Sequence, residues 1–311
     1  MSQHPDVVFE AGAAYPALVS LKSALARHDW PGARAVLDAA TPGSRTSLID
    51  LAADEAPRDF LENVFRDDPA DGAAGALLGA HLTSVGWNIR GSGRARNVSR
   101  EQFAAFHEWL RRAEQVLIET TARCPGDPAG WSRRLTTSLG LQTGEAEFRR
   151  RYDRVAEADP HHWPAQTSMI QRLCPKWGGS WEKVHRFAHE ASAAAPLGSL
   201  SGSLVAKAHI EHWFSLVVDD EAAAIAYLRT PAVRDSIYDA ARRSVGAPQF
   251  RPELGWVRAA NEFAFLFSEL GDRGATAWLF GGLGTLATRL PWQWVRGDAV
   301  ETIRARREWA R

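Results

Sequence analysis

HHWPAQTSMIQRLCPKWGGSWEKVHRFAHE, residues 161–190, decides the fold. Its apolar positions Trp163, Met169, Ile170 and Leu173, then Trp181, Val184, Phe187, Ala188 and the following Ala191, recur at intervals of three and four, the spacing that lines one face of a helix. Between the two patterns stands the corner Cys174-Pro175-Lys176-Trp177-Gly178-Gly179-Ser180. Proline does not fit a helix interior, and paired glycines reach backbone angles that other residues resist. Ser180 is placed to cap the second helix, its hydroxyl accepting from a free backbone amide. The stretch predicts helix, sharp corner, helix.

The pattern extends both ways. Residues 16–40 predict a helical hairpin in which Leu18, Leu21 and Leu25 face Ala33, Val36 and Leu37 across a turn at His28-Asp29-Trp30-Pro31-Gly32. Residues 41–71 are more polar, with one expected helix over 58–65, and a helix over 73–89 follows. Arg90-Gly91-Ser92-Gly93-Arg94-Ala95-Arg96-Asn97-Val98-Ser99 is loop-like, and Ser99 with Gln102 fits a capping box for a helix over 100–123. Beyond the corner, helices are expected over 204–218, 221–228 and 231–245. A linker at 246–252 leads to a hairpin of helices over 255–270 and 274–290, closed by a charged helix over 300–311. The expected organisation is an N-terminal hairpin and connecting segment (1–70), central repeats (71–245) and a C-terminal hairpin with a capping helix (246–311).

A period runs through the central part. Asp127-Pro128, Asp159-Pro160, Ala195-Pro196 and Thr230-Pro231 repeat an acidic or small residue before proline, about 34 residues apart. Trp131 and Trp163 stand three residues after the first two prolines, and two helical patterns lie between successive prolines. One helix pair cannot bury its own apolar face, so neighbouring pairs must stack. The expected fold is all-α, an irregular tetratricopeptide-like helical-repeat array, or α-solenoid.

Composition narrows the function. The chain has 311 residues, 45% hydrophobic and 24% charged, as expected of a globular protein with a substantial core. Basic and acidic residues balance at 37 each, which offers no global field for nucleic acid or an anionic membrane. Two cysteines, Cys124 and Cys174, are too few for a disulfide scaffold or a cysteine zinc site. The opening MSQHPDVVFE lacks the basic-then-apolar layout of a signal peptide, so cytoplasmic residence is the expectation.

The Trp87-Asn88-Ile89-Arg90-Gly91-Ser92-Gly93 segment, the two Asp-Pro-x-x-Trp units, the corner from Pro175 to Ser180 and Glu211-His212-Trp213 carry a resemblance. Together they resemble a group of bacterial proteins with a tetratricopeptide-like domain of unknown function. The resemblance spans residues 70–216, and the Pro-x-Trp-Gly-Gly-Ser corner is its most specific part. It implies a helical-repeat fold and brings no catalytic residues. The irregular, tryptophan-rich repeats depart from the ordinary tetratricopeptide pattern.

Several residues could carry chemistry. His185 and His189 are four apart and His209 and His212 three apart, so each pair shares a helix face. Neutral imidazoles at that spacing can chelate zinc, with Glu211 or Glu182 adding a carboxylate. No His-Glu-x-x-His arrangement accompanies them, and hydrogen-bonded core histidines give the same spacing. Arg149-Arg150-Arg151 with Arg154 could bind phosphate or an acidic partner, although such a run is more often a solvated helix face paired with glutamates. Gly282-Leu283-Gly284-Thr285-Leu286-Ala287 has the G-x-G-x-x-A form of a dinucleotide loop, yet it lies inside an apolar helical pattern rather than after a strand. Thirteen tryptophans are expected mostly to pack between repeats, and Trp177 or Trp181 at the corner could anchor a partner.

The chain therefore reads as a non-enzymatic scaffold that binds a protein or peptide on a concave face, without cofactor, nucleic acid or membrane. Its expected binding residues are Arg90, Trp177, Trp181, Glu211 and His212. The alternative is a metal-binding protein or enzyme using His185, His189, His209 and His212 with Glu211. Arg90, the corner and the Glu211-His212 face are expected to gather in one groove. A competing structural account places Trp87 and Trp213 in the core and pairs Arg90 with Glu211.

Overall fold

A computed structural model describes residues 6–9, 11–91, 97–295 and 297–311. Among them the chain is all-α. It forms sixteen α-helices with no strand beyond one isolated parallel bridge between Val8 and Leu286. No helix is long and apolar enough to cross a membrane. The chain divides into two compact units, Tyr15–Arg172 and a second that joins the residues up to Ala14 to Leu173–Arg311. The division falls just before the Cys174 corner, inside the stretch 71–245 that the sequence reads as one array.

The first unit holds α1 (Pro16–Ala26), α2 (Trp30–Asp38), α3 (Pro42–Leu51), α4 (Arg58–Asp67), α5 (Gly72–Arg90), α6 (Arg100–Arg123), α7 (Pro128–Leu141), α8 (Glu145–Ala158) and nearly all of α9 (Trp163–Leu173). Helix α5 lies against α6 at a separation that only glycine permits: a Cβ at Gly75 would come within 2.0 Å of the Thr120 hydroxyl, and one at Gly79 within 2.5 Å of Leu117. Helix α7 is buried on nearly every side, packed by α3, α5, α6 and α8. It even buries Arg134, whose guanidinium reaches Glu114 at 2.8 Å, while Arg151 of α8 reaches the same carboxylate at 3.0 Å. The remaining arginines of that run pair along their own helix, Arg149 with Asp153, Arg150 with Glu147 and Arg154 with Glu157. The run is thus a carboxylate-paired helix face, by one aspartate and otherwise glutamates, with one buried member.

The aspartate-proline dipeptides have a capping logic. Asp127 accepts from the Ala129 amide and Pro128 occupies the first helical position, where a missing N–H costs nothing. At the second unit of the repeat the frame slips: Asp159 ends α8, and His162 takes over the capping of α9 through Nδ1. Pro128, Pro160, Pro196 and Pro231 all lie at turns or helix starts, with two helices between successive prolines. Helix α3 lies in the stretch for which the sequence predicts only the helix at 58–65. It is capped by Thr41 with Pro42 at its first position and buries Leu48 and Ile49.

The second unit holds α10 (Trp181–Ala194), α11 (Ser203–Val217), α12 (Glu221–Arg229), α13 (Pro231–Arg243), α14 (Trp256–Leu270), α15 (Arg273–Leu283) and α16 (Ala299–Ala310). Helix α11 is the centre, packed by α10, α12, α13 and α14. The segment 246–252, expected as a linker, is packed within this unit: a side chain at Gly198 would meet the Gln249 backbone at 2.6 Å. Helix α15 stops at Leu283, seven residues short of expectation, because Gly284 turns the chain out at φ +57° and ψ −120°. Residues 285–287 then exchange backbone hydrogen bonds with Val8, through Val8 N to Thr285 O at 2.8 Å and Ala287 N to Val8 O at 2.9 Å. A helix, not a strand, precedes the glycine motif, so it is no dinucleotide loop.

Candidate functional site

The corner is built from three backbone hydrogen bonds. Trp177 N donates to Cys174 O (2.9 Å), Gly178 N to Pro175 O (2.9 Å) and Gly179 N to Cys174 O (3.2 Å). The two glycines are needed for different reasons. Gly178 sits at φ +83° in open space, whereas a Cβ on Gly179 would stand 1.9 Å from the Leu173 carbonyl oxygen. Ser180 caps α10 by accepting from Lys183 N at 3.2 Å.

Two side chains fasten this corner to α11. Lys176 Nζ donates to Glu211 Oε2 at 2.8 Å, and Lys207 Nζ holds the other oxygen at 3.3 Å. Glu211 is only 4% exposed, so its carboxylate serves the interior. Lys207 is equally buried, and that burial pulls its pKa below the usual lysine range. Burial likewise pushes the neighbouring Cys174 thiol up to about 12. At the first position of α10, Trp181 stacks flat on His212, ring centroids 4.4 Å apart and planes within 5°.

Behind that stack lies a chain of hydrogen bonds crossing α10 to α13. Ser236 Oγ donates to the Val233 carbonyl (2.9 Å), so at its 2.8 Å contact with His209 Nε2 the ring must be the donor. His209 Nδ1 is then an acceptor and takes the Tyr227 hydroxyl proton at 2.7 Å. The Tyr227 oxygen in turn accepts from His185 Nε2 at 3.2 Å, and the same nitrogen lies 3.1 Å from His212 Nδ1. His185 Nδ1 is left as a buried acceptor with no partner. Burial first, and then the neighbouring imidazoles, hold His185 down to about 4 and His209 well below the usual histidine range. Burial also lowers His212 and raises Tyr227. The cluster is neutral at pH 7: an ordered set of rings, half-buried at Trp181, His185, His212 and Tyr227.

No family model, curated protein or solved structure matches the chain.

Of the residues expected at a site, Trp177, Trp181, Glu211 and His212 fall together in the second unit with His185 and His209. His189 is exposed on α10, and among the described residues no hydrogen bond or ring contact joins it to the cluster. Among the same residues no group of three histidine, cysteine, aspartate or glutamate side chains could hold a metal ion. Arg90 belongs to the first unit, where it lies 5.4 Å over the Trp87 ring and 5.9 Å over Phe103 and donates to Gly91 O at 2.9 Å. Residues 92–96 of its loop are outside the described residues. Trp213 is core, 3% exposed and edge-on to Phe265 at 5.0 Å. Tyr227, Ser236 and Lys207 were not foreseen. They enter from other helices or other faces, and no spacing in the sequence links them to the histidines.

Proposed function

We propose that the chain is a non-enzymatic, tetratricopeptide-like helical-repeat scaffold that binds a protein or peptide segment, with its binding face on α10, α11 and α12. One observation carries the reading: the flat, half-exposed Trp181–His212 stack, fixed from behind by His185, Tyr227 and His209. Aromatic groups already held in one orientation lose little entropy on binding and dominate recognition surfaces. The imidazoles of the face are uncharged at neutral pH, so it suits an uncharged segment offering an apolar side chain and a hydrogen-bonding group. Glu211 acts as the strut that holds the corner, and Trp177 is the second aromatic assigned to the face. Cys124 and Cys174 are both reduced, in keeping with residence in the cytoplasm.

The test is capture of partners from a native lysate by the parent chain, Trp181→Ala and His212→Ala, with thermal unfolding measured on each. Both variants are expected to lose the proteins the parent retains while unfolding at the same midpoint. Equal capture by parent and variants would refute the face, and so would loss of capture that follows loss of the fold.

A further inference from the structure

Helices α15 and α16 enclose a cleft of about 610 Å³ on a different part of the second unit, lined by Arg304, Arg307, Arg311, Phe280, Gly281 and Gly284 among others. Arg304 and Arg307, three apart, share one face of α16, Arg311 follows directly after its last residue, and all three line the cleft. Opposite them α15 is bare. A Cβ on Gly281 would meet no atom within 4 Å, and its backbone is helical, so neither packing nor conformation calls for glycine there. What the glycine does is leave the cleft open.

The arginines are under-compensated. Arg304 is gripped by Asp6, Nε to Oδ2 at 2.8 Å and Nη2 to Oδ1 at 2.6 Å. Among the described residues Arg307 donates only to the backbone carbonyls of Asp6 and Leu286 and its buried Nε has no partner, while its guanidinium lies 5.2 Å over the Phe280 ring. Among the described residues, neither Arg307 nor Arg311 has a carboxylate at ion-pair distance. Asp6 and Glu308 are the two acids in the lining, against three guanidiniums. The bidentate seat of Asp6 shows how this array takes a carboxylate, the geometry that guanidinium forks favour for carboxylate and phosphate alike.

We propose that the cleft binds a small organic anion, its carboxylate or phosphate head on Arg304, Arg307 and Arg311 in the place Asp6 holds, and its apolar body against Phe280 and the open Gly281 face. Asp6 is then a built-in competitor that the ligand displaces.

Calorimetric titration of the full chain with hexanoate, hexyl phosphate and inorganic phosphate at fixed ionic strength tests this. Hexanoate or hexyl phosphate is expected to saturate a single site, the tighter of the two identifying the head group. Inorganic phosphate, lacking the apolar body, is expected to bind about tenfold more weakly or worse. Asp6→Asn should tighten the alkyl probe several-fold by freeing Arg304. Gly281→Leu should abolish binding by filling the cleft with no drop in unfolding midpoint. Should that variant prove unstable, the exposed Arg311→Gln carries the same test through weakened binding. No saturation by either alkyl probe in parent and Asp6→Asn would overturn the site. So would parent-like binding by Gly281→Leu or Arg311→Gln, inorganic phosphate matching the alkyl probes, or Asp6→Asn leaving affinity unchanged.

Discussion

His162 shows how much one buried side chain can set. Its Nδ1 accepts from Ala165 N at 3.2 Å, which leaves the proton on Nε2 to be donated to Thr46 Oγ1 at 3.0 Å. Burial, and then the charge of Arg133, hold its pKa down to about 4. The unfolded chain takes up a proton near pH 6.5 that the folded chain refuses until about 4. Stability is therefore full above pH 6.5 and falls through that window, by on the order of 3 kcal/mol for this group. Urea midpoints measured from pH 7 to pH 4 should show the fall, and His162→Gln should make it shallower by that share, the buried His185 and His209 contributing to what remains; curves parallel to the parent would assign the acid sensitivity elsewhere. The corner glycines give a second residue-scale prediction. Gly178→Asn should be tolerated because asparagine enters the left-handed region, whereas Gly178→Val should cost about 1–2 kcal/mol. Gly179→Val should cost more than Gly178→Val, since a backbone carbonyl cannot swing away as a side chain would. Equal thermal midpoints for the two valine variants would remove that distinction. The Pro175-to-Ser180 corner was legible because proline, paired glycine and serine are each local signals. The role of Gly179 was not, because a close approach depends on the fold around it.

Among helices, the contrast between α5 and α15 separates two uses of glycine. Gly75 is where α5 meets Thr120 of α6, so Gly75→Val should destabilise by about 1–3 kcal/mol through overpacking. Gly281 faces empty space, and Gly281→Ala should stabilise by about 0.5–1 kcal/mol, the ordinary gain of alanine in a helix. Thermal unfolding of both variants checks the pair, and shifts of the same sign would contradict it. Helix positions were largely readable, since three- and four-residue spacing reports the buried face of each. Helix α3 escaped because its apolar pair, Leu48 and Ile49, is too short a stripe to stand out among Ser44, Arg45, Thr46 and Ser47. Helix α15 was read too long because Leu286, Ala287 and Leu290 continue an apolar pattern after Gly284 has left the helix.

For the molecule as a whole, the second unit is completed by residues from the start of the chain. Asp6 is held by Arg304 and Arg307, and Val8 pairs with residues 285–287. Removing residues 1–14 should therefore loosen α15 and α16 while leaving α5 to α7 protected. Hydrogen exchange of peptides from the two regions reads this directly, and uniform loss of protection would show that the segment supports more than its own unit. None of this was visible in the sequence. Periodicity reports neighbours along a helix, and a contact between distant segments leaves no local pattern. The histidine cluster was half visible for the same reason: the His209/His212 pair could be read, whereas the hydroxyls that join it to His185, and the absence of His189 from it, could not.

The return of Asp6 to Arg304 spans 298 residues and has a consequence for biosynthesis. On a ribosome adding about 5–20 residues per second, Asp6 emerges roughly 15–60 s before the arginine that will hold it. Helices of the first unit, made in between, can pack as they appear; Asp6 and Val8 must wait for their docking surface. The second unit therefore closes last, and a nascent chain stalled before α16 would carry a finished first unit beside an unsealed second one.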